Sequence, residues 1–259
     1  MPNIVPAEFG RHMPAPALHS CRDILFSKRI AAPGLAGQDN HLEVRLARSE
    51  TDRLLAQDLI NRRYDWRGYG DHHVIPKSEG HSTFLACLDG LPVGTITLAV
   101  DMGGGLATDG TFRDELNTFR RVPGTSLCEL TKFAFDADMP SRKLLASLFH
   151  IVFLYGMRHH RCTHLFIEVS PRHRRFYEAM LGFRPSGEVK TNDSVQTASQ
   201  LMWLEVADIA SHISAQAGQA AGSRSLYPLF LSGGDERSVH GRLLRTRPVP
   251  MGFADMPLM

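Results

Sequence analysis

A hairpin signal in the middle of the chain limits the possible folds more than any other feature. Two apolar runs, 83–88 and 92–100, are joined through Asp89-Gly90. This dipeptide favours the tight turn, with positive φ at both central residues, that connects antiparallel strands. The pattern therefore predicts two neighbouring antiparallel strands.

Further strands and helices are predicted on both sides of this hairpin. Apolar residues alternate with polar ones over 41–47, and other strand patterns cover 127–135, 164–169 and 200–206. Ser49 and Asp52 resemble a capping box before a helix that runs to about residue 63. More helices are expected at 109–119, 140–160 and 172–181, the last one ended by Gly182. This order predicts an α/β fold with a mixed sheet of six or more strands.

The two ends of the chain differ from its centre. Residues 1–40 are rich in Pro and Gly, and we expect an irregular arm with a short strand near 23–26. Residues 41–206 carry the periodic patterns and form the expected domain. Residues 207–259 combine an Ala/Gln/Gly/Ser-rich stretch with a Pro/Gly-rich end, which predicts a linker and a poorly packed extension.

Composition excludes several classes of protein. The chain has 259 residues, 43% of them hydrophobic and 22% charged, which is close to a globular average and unlike a disordered, collagenous or coiled-coil chain. A net charge of +2 gives no global sign of nucleic-acid binding. The four cysteines are scattered and show no metal-ligand spacing, so we expect buried, reduced thiols and no metal site. No transmembrane segment or signal peptide is evident, so a cytoplasmic location is expected.

Two segments resemble known acyltransferases. Residues 167–183, IEVSPRHRRFYEAMLGF, have the strand–turn–helix layout of the last core unit of GNAT acyltransferases. Residues 105–136, GLATDGTFRDELNTFRRVPGTSLCELTKFAFD, resemble the central segment of the acyl-homoserine lactone synthases and, more closely, of the related N-acyl amino acid synthases. The resemblance covers about 41–206. It implies a GNAT-like, mostly antiparallel sheet with helices on both faces and an enzyme that transfers an acyl group to an amine.

The resemblance also implies roles for individual residues. Glu129 would deprotonate the amine, and Tyr177 or a water would protonate the leaving thiolate. The backbone of Phe133, Ala134 and Phe135 would polarise the thioester carbonyl. RRYDW (62–66) resembles the substrate entry, which makes Arg63, Tyr64 and Trp66 candidate substrate-binding residues. Lys132 stands where the family usually has arginine, and a lysine cannot form the bidentate fork to a carboxylate.

The turn before the long helix bears on the acyl donor. Residues 136–145 contain no glycine, so a pyrophosphate would be held less closely than in coenzyme A-dependent relatives. A single phosphopantetheine phosphate is expected at Ser141, Arg142 and Lys143 instead. An acyl carrier protein is therefore the expected partner, with an acyl-phosphopantetheine thioester as co-substrate and no bound cofactor. The basic clusters 158–161 and 172–175 are candidate contacts for an acidic carrier.

Other functions stay open at this point. A lactone synthase is disfavoured by Thr97, where that subgroup carries arginine in a Gly-x-x-Arg-Leu strand. A coenzyme A-dependent acetyltransferase is disfavoured by the glycine-free turn. A GNAT-derived binding or regulatory module without catalysis would suit the lysine at position 132. The preferred prediction is transfer of a fatty acyl group from acyl carrier protein to the amine of an amino acid.

Overall fold

One eight-stranded sheet runs through the chain. The computed structural model describes residues 23–31, 39–66, 68, 70, 72–136, 141–217, 219 and 224–246, and every structural statement below concerns these residues. The strands are β1 Ile24–Ala31, β2 Asp39–Leu46, β3 His81–Leu88, β4 Leu91–Val100, β5 Leu127–Phe135, β6 His164–Val169, β7 Arg184–Asn192 and β8 Thr197–Glu205. The helices are α1 Glu50–Asp65, α2 Asp109–Arg120, α3 Arg142–His159, α4 Arg174–Leu181, α5 Val206–Gln216 and α6 Gly233–Thr246.

The sheet is antiparallel everywhere except at one pair of strands. Its order is β1-β2-β3-β4-β5-β6-β8-β7, and only β5 and β6 run parallel. The predicted hairpin joins β3 to β4, with φ of 50° at Asp89 and 81° at Gly90, as a tight turn between antiparallel strands requires. The expected mixed, mostly antiparallel α/β fold is confirmed.

Helices cover both faces of the sheet, as predicted. The apolar side of α3 packs on one face together with side chains of α4, α5 and α6, and this layer forms the largest core cluster. On the other face, α1 packs over β3 and the end of β5, and α2 packs over β5, β6 and β8. Cys87, Cys128 and Cys162 are buried thiols within these layers. No helix in the described part of the chain has the length and apolar character needed to cross a membrane.

Strand β7 was not predicted from the sequence. It follows Gly182 as RPSGEVKTN, lies at the edge of the sheet beside β8, and leaves most of its side chains exposed. When both faces of an edge strand are exposed to solvent, apolar and polar residues need not alternate along it. The two-residue period that predicts a strand is therefore missing in this segment. Gly187, at φ 67°, marks the irregularity between Ser186 and Lys190 in its pairing with β8.

The C-terminal residues pack more closely than the sequence indicates. Helix α5 follows β8 directly, and α6 lies against β1. The expectation of a poorly packed extension is wrong for residues 224–246, where six apolar side chains are buried: Leu226, Tyr227, Phe230, Leu231, Val239 and Leu243. Four of them lie in and around a short 3₁₀ turn, which has neither helical nor strand periodicity to reveal it. The strand expected near residues 23–26 is also longer, at eight residues.

Candidate active site

A fork between the parallel strands β5 and β6 creates the candidate site. Their pairing covers only Leu127–Glu129 against His164–Phe166, although β5 continues to Phe135 and β6 to Val169. Beyond Glu129, β5 pairs with β4 alone, while β6 pairs with β8. The carboxyl ends of the two strands therefore diverge, and parallel strands that separate in this way leave a crevice between them.

A bulge at Lys132 shapes the β5 side of this fork. Lys132 has φ 53°, in the left-handed region, and the pairing with β4 shifts by one residue between Thr131 and Ala134. One extra residue exchanges the two faces of a strand. Cys128 accordingly packs with the α3 layer before the bulge, and Phe133 does so after it, five residues along the chain.

The fork opens into a cleft of about 490 Å³. Four strands, the end of α1, the loop after it and the start of α4 contribute to the wall. The titratable side chains in the wall are Tyr64, His73, Glu129, Lys132, Glu168, His173 and Tyr177. The structure thus brings together Glu129, Tyr177, Tyr64, Lys132 and Phe133 from the predicted site residues.

Glu129 lies at the base of the fork and is almost fully buried, with 3% of its surface exposed. The Thr108 backbone N–H donates to Glu129 Oε2 at 3.3 Å. Burial raises the pKa of the Glu129 carboxyl to about 7, and the negative charge of Glu168 acts in the same direction. A carboxylate with a pKa near neutrality inside a cleft is suited to accept a proton during a reaction.

The predicted substrate-binding residues divide into two pairs. Tyr64, in the last turn of α1, lines the cleft and contacts the His73 ring edge-on with centroids 4.7 Å apart. Lys132 also lines the cleft, and burial lowers the pKa of its ammonium group. Arg63 and Trp66 are not part of the cleft wall. The Arg63 guanidinium lies 5.2 Å from the centre of the exposed Trp66 ring.

The side chains of the three predicted donor-binding residues of β5 lie in different places. Phe133 reaches the cleft. The side chain of Ala134 packs instead against α1 on the opposite face of the sheet. Phe135 lies against Gly94 of β4, so closely that a Cβ on this glycine would come within 2.7 Å of the ring.

The predicted donor-binding residues at the start of α3 lie outside the cleft wall. Ser141 caps α3 by accepting the Leu144 N–H at 3.4 Å, and Lys143 is exposed. Arg142 donates to the carbonyl oxygens of Arg224 and Ser225 at 2.9 and 2.8 Å. The role of these residues in donor binding stays a prediction.

Tyr177 lies in α4 at the boundary between the cleft and the core. Its ring contacts Phe183 edge-on at 6.0 Å and packs against the α3 layer, yet it also belongs to the cleft wall. His173, one turn earlier in the chain, was predicted only as part of the basic cluster 172–175, and neither it nor His73 in the loop after α1 was predicted to line the cleft. The long stretch without helical or strand periodicity, between the first predicted helix and the hairpin, was the available signal for His73.

Glu168 of β6 was also missed. It lines the cleft, and its Oε1 accepts hydrogen bonds from Asn192 Nδ2 at 2.6 Å and Thr111 Oγ1 at 3.4 Å. Glu168 lies two residues beyond Phe166, which pairs with Glu129, so both glutamates are on one face. Counting strand parity from Glu129 would have indicated this residue.

A second, narrow cavity of about 30 Å³ lies on the α3 side of the sheet and is walled almost entirely by apolar side chains. Phe149 belongs to its wall, and the Phe149 ring lies 5.4 Å from that of Phe133 in the cleft. These two rings therefore separate the cleft from the apolar cavity. Within the described residues, His, Cys, Asp and Glu side chains form no cluster of three that could hold a metal ion.

Comparisons with known proteins place this architecture in a family. Residues 55–205 match the model of the N-acyl amino acid synthase FeeM. The solved structure of FeeM, an N-acyl amino acid synthase from uncultured soil microbes, is 26% identical with a TM-score of 0.60 and covers 66% of this chain and 94% of its own. The acyl-homoserine lactone synthase LasI is 17% identical with a TM-score of 0.49, covering 64% of this chain and 91% of its own.

An N-acetyltransferase from Staphylococcus aureus Mu50 is 10% identical with a TM-score of 0.44, covering 64% of this chain and 98% of its own. The comparison with curated proteins gave no match. The FeeM match spans more than half of the chain and includes α2, both strands of the fork and α4. The chain is an acyltransferase with the GNAT-like fold and belongs to the FeeM family of N-acyl amino acid synthases.

Proposed function

We propose that the protein transfers a fatty acyl group from the thioester of an acyl carrier protein to the amine of an amino acid. The observation that carries this proposal is Glu129, a buried carboxylate with a pKa of about 7 at the base of the fork. An amine is protonated at neutral pH and must lose a proton before it can attack a thioester. A base with a pKa near the working pH is suited to that step.

The reaction balances with the groups in the cleft. Glu129 takes one proton from the acceptor's ammonium, and the amine nitrogen forms a bond to the thioester carbonyl carbon. The carbonyl oxygen carries the negative charge of the tetrahedral intermediate and is stabilised by backbone N–H groups of β5 beyond the fork. The C–S bond then breaks, Tyr177 or a water gives a proton to the thiolate, and the same group takes up the second proton that the nitrogen releases. One net proton remains on Glu129 and passes to solvent.

The donor assignment is supported by the surface beside the cleft. His173 and Tyr177 line the cleft, and Arg172 and Arg175 of the same segment are exposed. This basic surface can complement an acidic carrier protein. The other predicted cluster is less available, since Arg158 pairs with Glu236 of α6 at 3.0 Å. Arg142, which would meet a phosphate at α3, already donates to two backbone carbonyls.

The proposal is tested by mass spectrometry of lipid extracts from a bacterial host that expresses the chain. Extracts from a host with an empty vector are the control. New masses that match a fatty acyl chain joined by an amide bond to an amino acid are expected. Acyl-homoserine lactones would indicate a lactone synthase instead. Absence of any new product would contradict the proposed function.

A second experiment tests the donor and the base with purified protein. The wild type is assayed with acyl carrier protein thioesters and with acyl-coenzyme A, and a preference for coenzyme A would overturn the donor assignment. The rate should fall on the acid side of about pH 7, because Glu129 must be deprotonated. Glu129→Gln is expected to lower kcat roughly 10²- to 10⁴-fold. Glu188→Gln, an exposed residue of β7, is the matched control and should be unaffected.

A further inference from the structure

Glu168 faces Glu129 across the fork, and no step of the proposed acyl transfer uses it. Phe166 is the β6 partner of Glu129, and Glu168 is the next residue on that face. If the strands stayed paired, standard strand dimensions would place the two glutamate Cα atoms about 8 Å apart, and the divergence of the strands widens this distance. Both carboxylates point into one cleft, so a small group can lie between them.

The surroundings of Glu168 leave one of its oxygens available. Asn192 and Thr111 both donate to Oε1, and Oε2 accepts no hydrogen bond from any residue that the structure describes. Glu168 is partly buried and forms no ion pair with a described residue. A partly buried carboxylate that is held in place without a cation is placed to bind a positively charged ligand.

We propose that Glu168 is a substrate-binding residue that holds the ammonium group of the acceptor beside Glu129. This inference rests on the proposed function and identifies the acceptor end of the same site. An ammonium group has three N–H donors, of which Glu168 Oε2 accepts one while Glu129 faces another. Glu129 then removes the proton, and Glu168 keeps the amine in position.

Lys132 completes the recognition of a zwitterion. It lies on the β5 side of the cleft and forms no hydrogen bond or ion pair with the residues described. Its ammonium group can bind the acceptor's carboxylate while Glu168 binds the acceptor's amine. An amino acid matches this pair of opposite charges, whereas an amine without a carboxylate matches only one of them.

Equilibrium binding tests this inference without acyl transfer. Each of the twenty standard L-amino acids is titrated into the wild type, and each one that binds is compared with the carboxylic acid that lacks its amino group. Glu168→Gln is titrated in the same way, with Glu188→Gln of β7 as the matched control. Glu168→Asp keeps the charge and reports whether charge or shape matters. Circular dichroism shows whether each variant is folded.

The expected result is a difference that depends on the amino group. Glu168→Gln should weaken binding of the amino acid roughly 10- to 100-fold and leave the deaminated acid unchanged. Glu168→Asp should recover part of the affinity. Equal weakening for both ligands, no weakening, or no binding of any amino acid to the wild type would each overturn the inference.

A pH profile tests whether Glu168 carries its negative charge beside Glu129. The charge of Glu168 favours protonation of Glu129, so Glu168→Gln should move the acid limb of kcat/KM to lower pH. The other titratable groups around Glu129 are unchanged in this variant: Lys132 of β5, Tyr64 and His73 beside α1, and His173 and Tyr177 beside and within α4. An unmoved limb would contradict the inference. If binding depends on the amino group but no acylated amino acid is formed, the proposed acyl transfer is overturned and the role of Glu168 in binding stands.

Discussion

At the scale of single residues, Glu129 combines a chemical role with a cost to stability. Its carboxyl is buried, and in the folded state its pKa lies near 7, above the ordinary value of 4.5. Between these two values the unfolded chain is deprotonated while the folded protein still holds the proton. The free energy of unfolding contributed by this group therefore falls as pH rises through that window.

Glu129→Gln should therefore stabilise the protein while it lowers kcat. The free energy of unfolding of the variant, relative to that of the wild type, should be about 2 to 3 kcal/mol higher at pH 8 than at pH 5, because the neutral amide carries no charge to bury. Urea denaturation of both proteins at the two pH values measures the difference. Glu188→Gln controls for the loss of an exposed charge. A gain that is the same at pH 5 and pH 8 would show that Glu129 is not held with a raised pKa.

At the scale of elements, the β5 bulge predicts an unusual preference at position 132. Lys132 has φ 53°, where a side chain costs about 1 to 2 kcal/mol and glycine costs nothing. Within an ordinary strand, alanine is more stable than glycine by roughly 0.5 to 1 kcal/mol. Lys132→Gly should therefore be more stable than Lys132→Ala, the reverse of the usual order. Thermal unfolding of the two variants shows which one is more stable. A more stable alanine variant would mean that the backbone at the bulge relaxes without cost.

The C-terminal segment is attached to α3 through a buried histidine. The Leu231 backbone N–H donates to His150 Nδ1 at 3.0 Å, and the Phe230 ring stacks on the imidazole at 4.8 Å. Burial lowers the pKa of His150 to about 4 from its ordinary 6.5. The folded protein therefore keeps the neutral form, and stability is lost as pH falls from 6.5 towards 4.

The corresponding prediction concerns acid sensitivity. Between pH 8 and pH 5, His150 should cost the fold about 2 kcal/mol, because the unfolded chain binds a proton that the folded one excludes. His150→Gln keeps an acceptor for the Leu231 N–H but cannot titrate. The loss of stability of this variant between pH 8 and pH 5 should therefore be about 2 kcal/mol smaller than that of the wild type. Urea denaturation across this range compares the two proteins. Parallel pH curves would contradict the assignment.

At the scale of the whole molecule, local sequence patterns predict the strands and helices in the centre of the chain. They do not predict contacts between segments that are far apart in the sequence. The β3–β4 hairpin and the glycine end of α4 follow from turn chemistry within a few residues. The family pattern predicted that Glu129 and Tyr177 belong to one site, and both line the cleft. The pattern did not indicate Glu168 on the facing strand. Arg142 shows the limit of local reasoning, because its partners lie 82 and 83 positions further along the chain.

The packing of the C-terminal segment gives the last prediction, because the family match ends at residue 205 and this segment still completes the core. In α6, Leu243 is 3% exposed and its neighbour Leu244 is 54% exposed, so one helix offers a matched pair. Leu243→Ala should lower the free energy of unfolding by about 2 to 5 kcal/mol, as expected for a buried leucine. Leu244→Ala should change it by less than about 0.5 kcal/mol. Equal effects would mean that α6 is an appendage, whereas the expected difference makes the chain beyond residue 205 part of the enzyme's core.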